Sequence, residues 1–297
     1  MTIMSGMARM AMLAALFAAP FHAFADEGAQ ERALLNSLKF QTGTVPVPAA
    51  HATLALQPGY AFLSASDAQK VLADLWGNPP DKEVLGMIVP GETPSVLVDE
   101  NTWAVVVTYS DDGHVKDDDA SSIDYNDLLK DMKKGTEESS VERVKQGYAA
   151  IELVGWATPP HYDAVAHKLY WARDLKFTKD GHSGRSLNYD IRVLGRHGYL
   201  QLSAVAPLAL LPKVEADMPK VLAMTEFDPG VRYTDFSPGT DKVAAYGIAA
   251  LVAGGIAAKA GLFAKLGLLL LGLKKFLIIG VVAIGAAIKK LFNRKQA

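Results

Sequence analysis

Residues 168–177 read Lys-Leu-Tyr-Trp-Ala-Arg-Asp-Leu-Lys-Phe, and their alternation decides the fold class. Leu169, Trp171, Leu175 and Phe177 fall on one face and Lys168, Tyr170, Asp174 and Lys176 on the other, the period-two pattern of a half-buried strand. Residues 187–194 alternate as a second strand, Gly195-Arg196-His197-Gly198 supplies a turn, and residues 199–205 return. The spacing therefore predicts a three-stranded antiparallel meander. Helical spacing over 208–224 follows it, and residues 227–236 read as an irregular approach to the tail.

Working outward, residues 30–40 have the spacing of a short helix, and 42–47, 51–56 and 60–63 read as small strands between turns. Ser66-Asp67 reads as the cap of a helix running to about Trp76, which Gly77-Asn78-Pro79-Pro80 ends. Residues 102–109 alternate again, and Asp111-Asp112-Gly113 predicts a hairpin there. Residues 125–148 are helical in period, with a break expected at Gly135. Strands mixed with covering helices and no internal repeat predict an α+β domain with an antiparallel sheet.

The ends of the chain differ from its body. Every Asp and Glu lies between Asp26 and Asp241, whereas the tail carries Lys259, Lys265, Lys274, Lys275, Lys289, Lys290, Arg294 and Lys295 with no acid. The first 25 residues combine Arg9, an apolar run over 10–19 and the small-x-small ending Ala23-Phe24-Ala25, which predicts a secretory signal cleaved after Ala25. An uncleaved anchor is the alternative, although the run is short for a span. Residues 26–242 then form the extracytoplasmic domain. The absence of cysteine excludes disulfides and thiol chemistry. An acidic body lacks the basic footprint that nucleic acid requires.

Residues 243–263 have the length and apolarity of one transmembrane helix, with Lys259 near its end where it can snorkel. Ala250, Gly254 and Ala258 recur every fourth position as a small-residue ridge for a neighbouring helix, or simply reflect how common Ala and Gly are in membrane helices. Residues 264–297 hold a second apolar stretch interrupted by Lys274 and Lys275, each costing roughly 2.5 to 3.5 kcal/mol at mid-bilayer. One span followed by an interfacial helix places the basic cluster in the cytoplasm; a two-helix hairpin is the rival.

The strings Gly155-Trp156-Ala157-Thr158-Pro159-Pro160-His161-Tyr162-Asp163, His167-Lys168-Leu169-Tyr170-Trp171-Ala172, Leu187-Asn188-Tyr189 and Leu194-Gly195-Arg196, with residues 230–236, 241–247 and Gly77 to Pro80, carry a resemblance. They resemble a bacterial family of uncharacterised membrane-anchored proteins, domain-of-unknown-function family two-one-six-seven. The resemblance covers nearly the whole mature chain and implies an envelope protein with a membrane anchor. It supplies no reaction.

Candidate binding residues come from two clusters. Trp156, Tyr162, Asp163, His167 and Trp171, with Pro159 and Pro160, read either as a rigid aromatic contact patch or as a strand end with core aromatics. His167 with Asp163 is also a possible acid–base pair, against an ordinary core or surface histidine. Arg192 shares a polar strand face with Asn188 and Asp190, and Arg196 sits in the adjoining turn; two arginines suit a carboxylate or phosphate, or else pair with Asp174 or Asp190. The acids Asp111, Asp112, Asp117, Asp118 and Asp119 could bind a hard cation such as calcium, but they lack the order and closing Glu of an EF-hand loop and read instead as a solvated turn. No hydrolase elbow, zinc helix or phosphate-binding loop stands in the body, so no catalytic residue, metal or cofactor is assigned. The reading is a periplasm-facing inner-membrane protein, a non-catalytic sensory, adaptor or ligand-binding domain with lipid and an envelope protein as partners. The alternative is an envelope enzyme with a cleft near His167, Asp163 and Arg192.

Overall fold

The computed structural model describes residues 19–253, with side chains from residue 28 onward. Ten strands and five helices alternate through this span. Strands β3 (Tyr60–Ser64), β4 (Val84–Pro90), β5 (Ala104–Ser110), β6 (Ala150–Asp163), β7 (Lys168–Lys179), β8 (His182–Leu194) and β9 (Tyr199–Pro207) form one antiparallel sheet in the order β3-β4-β5-β9-β8-β7-β6. A smaller antiparallel sheet joins β1 (Thr44–Val47), β2 (Ala52–Ala55) and β10 (Thr225–Phe227). The class is α+β, as the alternation of the meander predicts.

The large sheet is covered unequally on its two faces. One face is closed by the small sheet and by α4 (Leu211–Ala223): Trp103, Val105, Ile191, Leu200, Leu202 and Ala204 pack there against Leu54, Val214, Met218 and Val221. Trp103 also donates its indole N–H to Asp217 on α4 at 3.0 Å. The opposite face carries two separate apolar clusters. At the β3–β4–β5 end, α1 (Ala19–Ser37), α2 (Ala65–Gln69) and its π-helical continuation to Leu75 cover Leu63, Met87 and Val89. At the β7–β8 end, α3 (Tyr125–Lys145) and the short α5 (Ile248–Ala253) cover Leu169, Trp171 and Leu194. Between them runs a polar strip of the sheet, and this division positions the site.

Several local expectations are corrected. The helix after β3 is capped by the Ser64 side chain, which accepts from the Asp67 N–H, two residues earlier than the sequence suggested. Gly135 does not break α3, because its cost of about 1 kcal/mol in a helix interior is smaller than the stabilisation from the flanking turns and from packing on β6. Asp111-Asp112-Gly113 makes no hairpin: β5 pairs with β4 and with the distant β9, and the Gly113 and His114 N–H groups donate to the carbonyls of His197 and Lys242. The meander has a fourth member, β6, which continues through Trp156, Pro159 and Pro160 to Asp163. Those prolines are tolerated because β6 is an edge strand with irregular register, where a missing N–H costs no ladder bond on the open side.

The β8–β9 turn depends on Gly198, since a Cβ there would fall inside the Ser110 carbonyl at the end of β5. The Gly198→Ala substitution is expected to spread β5 from β9 and lower the melting temperature by about 5 °C or more, read by circular dichroism, on the scale of a 1–3 kcal/mol overpacking penalty.

The start of the apolar tail also belongs to this fold. Ala244, Ile248, Leu251 and Val252 are buried in the α3-side cluster, and His114 forms a parallel bridge with Val243. The domain therefore extends past Lys242, and residues 243–253 lie against the body rather than forming the first half of a free helix. The rest of the expected 243–263 span, the 264–297 segment and residues 1–18 lie outside the described residues, and α1 runs continuously across the expected cleavage point at Ala25. Among the described residues no helix is long and apolar enough to cross a membrane.

Candidate functional site

The polar strip between the two clusters is built by register. Asp190 on β8 lies opposite Trp171 on β7 and Ser203 on β9, and Arg192 opposite Leu169 and Gln201; Gln201 in turn faces Thr108 on β5. Strand periodicity therefore aims Arg192, Asp190, Ser203, Gln201 and Thr108 from one face. Arg192, Gln201 and Thr108, with Arg173 from β7, floor a cavity of about 700 Å³ that Ser110, Asp111, Asp112, Tyr199, Lys82 and Glu83 also line, while Asp190 and Ser203 lie beneath that floor. That volume lies within the range of small-ligand sites.

Two guanidiniums line its floor, and one carboxylate lies buried behind them. Asp190 is fully buried and accepts from Arg173 Nε and Nη2 at 3.0 and 2.7 Å and from the Ser203 hydroxyl at 2.6 Å. Arg192, also buried, lies over the Trp171 ring at 4.6 Å and near the Tyr199 ring at 5.9 Å. Its Nη1 reaches Asp190 and the Ile191 carbonyl only at 3.5 and 3.4 Å, and its Nε has no hydrogen-bond partner. Burial by itself would push the Asp190 carboxyl up, but Arg173, Arg192 and the Ser203 hydroxyl outweigh it and hold it below its ordinary value. Arginine stays protonated, so the floor carries one uncompensated positive charge.

The aromatic residues meet elsewhere, around Asp117. Tyr162 donates to Asp117 at 2.7 Å, and His167 Nδ1 lies 3.7 Å from the same carboxylate. The His167 ring stacks on Tyr233 at 4.1 Å, Tyr233 on His114 at 4.3 Å, and His114 on Phe236 at 3.9 Å. Trp156 donates to the Tyr125 carbonyl at the start of α3. Asp163 is not the partner of His167: it accepts from the backbone N–H groups of Val165 and Ala166 and shapes the β6–β7 turn. Arg196 clamps Asp241 through two bonds of 2.7 and 3.0 Å and also holds the Gly230 carbonyl, fixing the segment that leads to the tail.

The expected residues thus separate into three places. Arg192 lines the cleft with Trp171 packed in the core beneath its guanidinium, Trp156, Tyr162 and His167 surround the Asp117 stack, and Asp163 and Arg196 have local structural partners. The trio expected for an enzymatic cleft, His167, Asp163 and Arg192, is not assembled: Arg192 lines the cavity and the other two do not. Ala250 lies on α5, while Gly254 and Ala258 fall outside the described residues. Arg173 is the residue that sequence reading passed over. It occupies the otherwise apolar face of β7 beside Trp171, and an arginine on such a face is itself a signal of a buried counter-ion.

A family model described as a protein of unknown function (DUF2167) matches residues 39–285. The chain belongs to this family. The match spans the whole sheet and the cleft, so the Arg173–Asp190–Arg192 floor lies within the DUF2167 domain. No curated protein matches the chain. Among solved structures, cyanobacterial PsbP from Synechocystis is similar at 10% identity and a TM-score of 0.34, covering 65% of this chain and 93% of that one. The Ran-binding protein Mog1p of Saccharomyces cerevisiae is similar at 11% identity and a TM-score of 0.27, covering 68% and 100%.

The buried stack gives a pH prediction. Burial pulls the His114 pKa below the ordinary 6.5, against weaker raising by the Gly195 backbone and nearby acids, and its Nδ1 is unpartnered. The unfolded chain then binds the proton more readily, so the contribution of His114 is complete above about pH 6.5 and is lost as pH falls from there toward the folded value. Melting temperature is expected to decline below pH 6.5 in the native protein and to decline less in His114→Phe, measured by thermal unfolding from pH 5 to 8. Equal slopes would assign the acid loss to other groups.

Proposed function

We propose that this chain is an exported bacterial envelope protein held at the inner membrane by its apolar tail, with its main domain in the periplasm. It acts without catalysis, as a ligand-binding sensory domain or adaptor whose partners are lipid and an envelope protein. The leader-like first 25 residues and the acid-free basic tail support the location.

The observation that carries the sensory reading is a shared wall. Asp111, Asp112 and Tyr199 line the cleft, and the same stretch of structure holds residues 242–253. Tyr246 donates its hydroxyl to Asp112, Lys242 reaches the Asp111 carbonyl, and Asp119 accepts from the N–H groups of Ile248 and Ala249. Tyr199 packs in the same cluster as Ile248. A ligand that tightens this wall favours the docked tail, and by linkage a docked tail favours the ligand.

Location is tested by labelling. The chain has no cysteine, and Val165 in the β6–β7 turn is 93% exposed, so Val165→Cys gives a single reporter. In intact spheroplasts a membrane-impermeant maleimide is expected to label it fully. Labelling only after lysis would contradict a periplasmic domain.

A further inference from the structure

We infer that the cleft receives a small zwitterion of the amino-acid or short-peptide class, its carboxylate on Arg192 and Arg173 and its ammonium at the acidic mouth. The inference rests on the ligand-binding reading above and names the chemistry of that site.

Three features point the same way. First, the floor contains a donor without an acceptor: Arg192 is 4% exposed, its Nε is unpartnered, and Nη1 meets its acceptors only near the limit of a hydrogen bond. Burying an under-paired guanidinium costs more than leaving it hydrated, and since Arg192 lines the cleft, an anion bound there would add to its hydrogen bonding. Second, Asp190 is already engaged by Arg173 and Ser203 and neutralises only one of two guanidiniums, leaving a single positive charge. A planar carboxylate matches the free edge of a guanidinium. The stacking of Arg192 on Trp171 fixes that edge in place.

Third, the mouth has the opposite sign. Glu83, Asp111 and Asp112 line it with Lys82, and Lys242 reaches the Asp111 carbonyl, so three acids against two lysines leave it negative and it repels a second negative charge. A phosphate dianion meets one net positive charge at the floor and net negative charge at the mouth. A ligand with one carboxylate and one ammonium satisfies both. The cavity of about 700 Å³ leaves room beyond the two charged ends for a side chain or a second residue.

The test is calorimetric titration of the full-length protein in detergent with glycylglycine, acetate and inorganic phosphate. Glycylglycine is expected to bind most tightly, with acetate weaker by about tenfold for lack of the ammonium. Arg192→Lys, which keeps the charge beside Asp190 but removes the planar fork, should weaken glycylglycine at least tenfold. Asp111→Asn, at the exposed rim where folding is not at stake, should weaken glycylglycine about threefold and leave acetate unchanged or slightly tighter. Phosphate binding more tightly than glycylglycine in an Arg192-dependent way would overturn the zwitterion while leaving a ligand site in the cleft. Binding of none of the three would overturn the ligand reading itself. Glycylglycine binding that is indifferent to both substitutions would place the ligand outside this cleft.

Discussion

Replacing Asp190 by alanine is expected to destabilise the protein by about 3–5 kcal/mol, the range for removing one partner of a buried ion pair. The size follows from what is left behind. Arg173 retains solvent access on about a quarter of its side chain and can turn outward, but Arg192 is enclosed by Trp171 and Tyr199 and loses the counter-ion it has among the described residues. The Ser203 hydroxyl loses its acceptor as well. Chemical denaturation followed by tryptophan fluorescence reads the loss, since Trp103 and Trp171 are both fully buried. Ser203→Ala is the control, expected to cost about 1 kcal/mol as one hydrogen bond within the network. A change below 1 kcal/mol for Asp190→Ala would mean that Arg192 finds another anion or is not enclosed, and the electrostatic description of the cleft would fail with it.

Ending the chain at Lys242 is expected to abolish cooperative unfolding, while ending it at Ala253 preserves it. The shorter chain loses Ile248, Leu251 and Val252, which are at most 2% exposed, and uncovers Leu169, Trp171 and Leu194 beneath them. Fully burying an aliphatic side chain contributes roughly 1.5–3 kcal/mol, so the three together are worth roughly 4.5–9 kcal/mol. Whole domains are stable by about 5–15 kcal/mol. The short chain also loses the Tyr246–Asp112 bond and the cap that Asp119 provides to α5, a cap that needs Gly247 because a Cβ there would strike the Asp119 carboxylate. Thermal melts of the two truncations decide the matter. A cooperative transition in the Lys242-terminated chain, within a few degrees of the longer one, would show that the tail segment adds nothing to the core.

What the sequence made legible follows the range of the interactions involved. The meander β7–β8–β9 is written in local alternation and in the turn Gly195-Arg196-His197-Gly198, so periodicity finds it. The hairpin expected at Asp111-Asp112-Gly113 fails because the true partner of β5 is β9, about a hundred residues later, and no local pattern announces a pairing of that separation. Strand β6 is obscured by Pro159 and Pro160, which are permitted only because β6 lies at the sheet edge. The 243–263 stretch reads as a continuous membrane helix because apolar residues look alike whether they face lipid or a protein core; its first residues face the core. Arg192 was identifiable from its strand, whereas Arg173, Ser203 and Gln201 become site residues only once register brings three strands side by side. The Asp117 partner of His167 comes from a loop fifty residues upstream, a separation at which no local pattern links the two, whereas Asp163 stood out only by its nearness in sequence.

The most direct test of a cleft coupled to the tail is amide hydrogen exchange over residues 242–253 in full-length protein reconstituted into bilayers, with and without saturating glycylglycine. Coupling through Asp112, Asp119 and Tyr199 predicts that exchange at the Ile248 and Ala249 amides, which Asp119 holds, slows at least severalfold when the ligand is bound. Ligand bound in the cleft with no change in those amides would contradict the coupling and leave a binding domain that does not report to its tail.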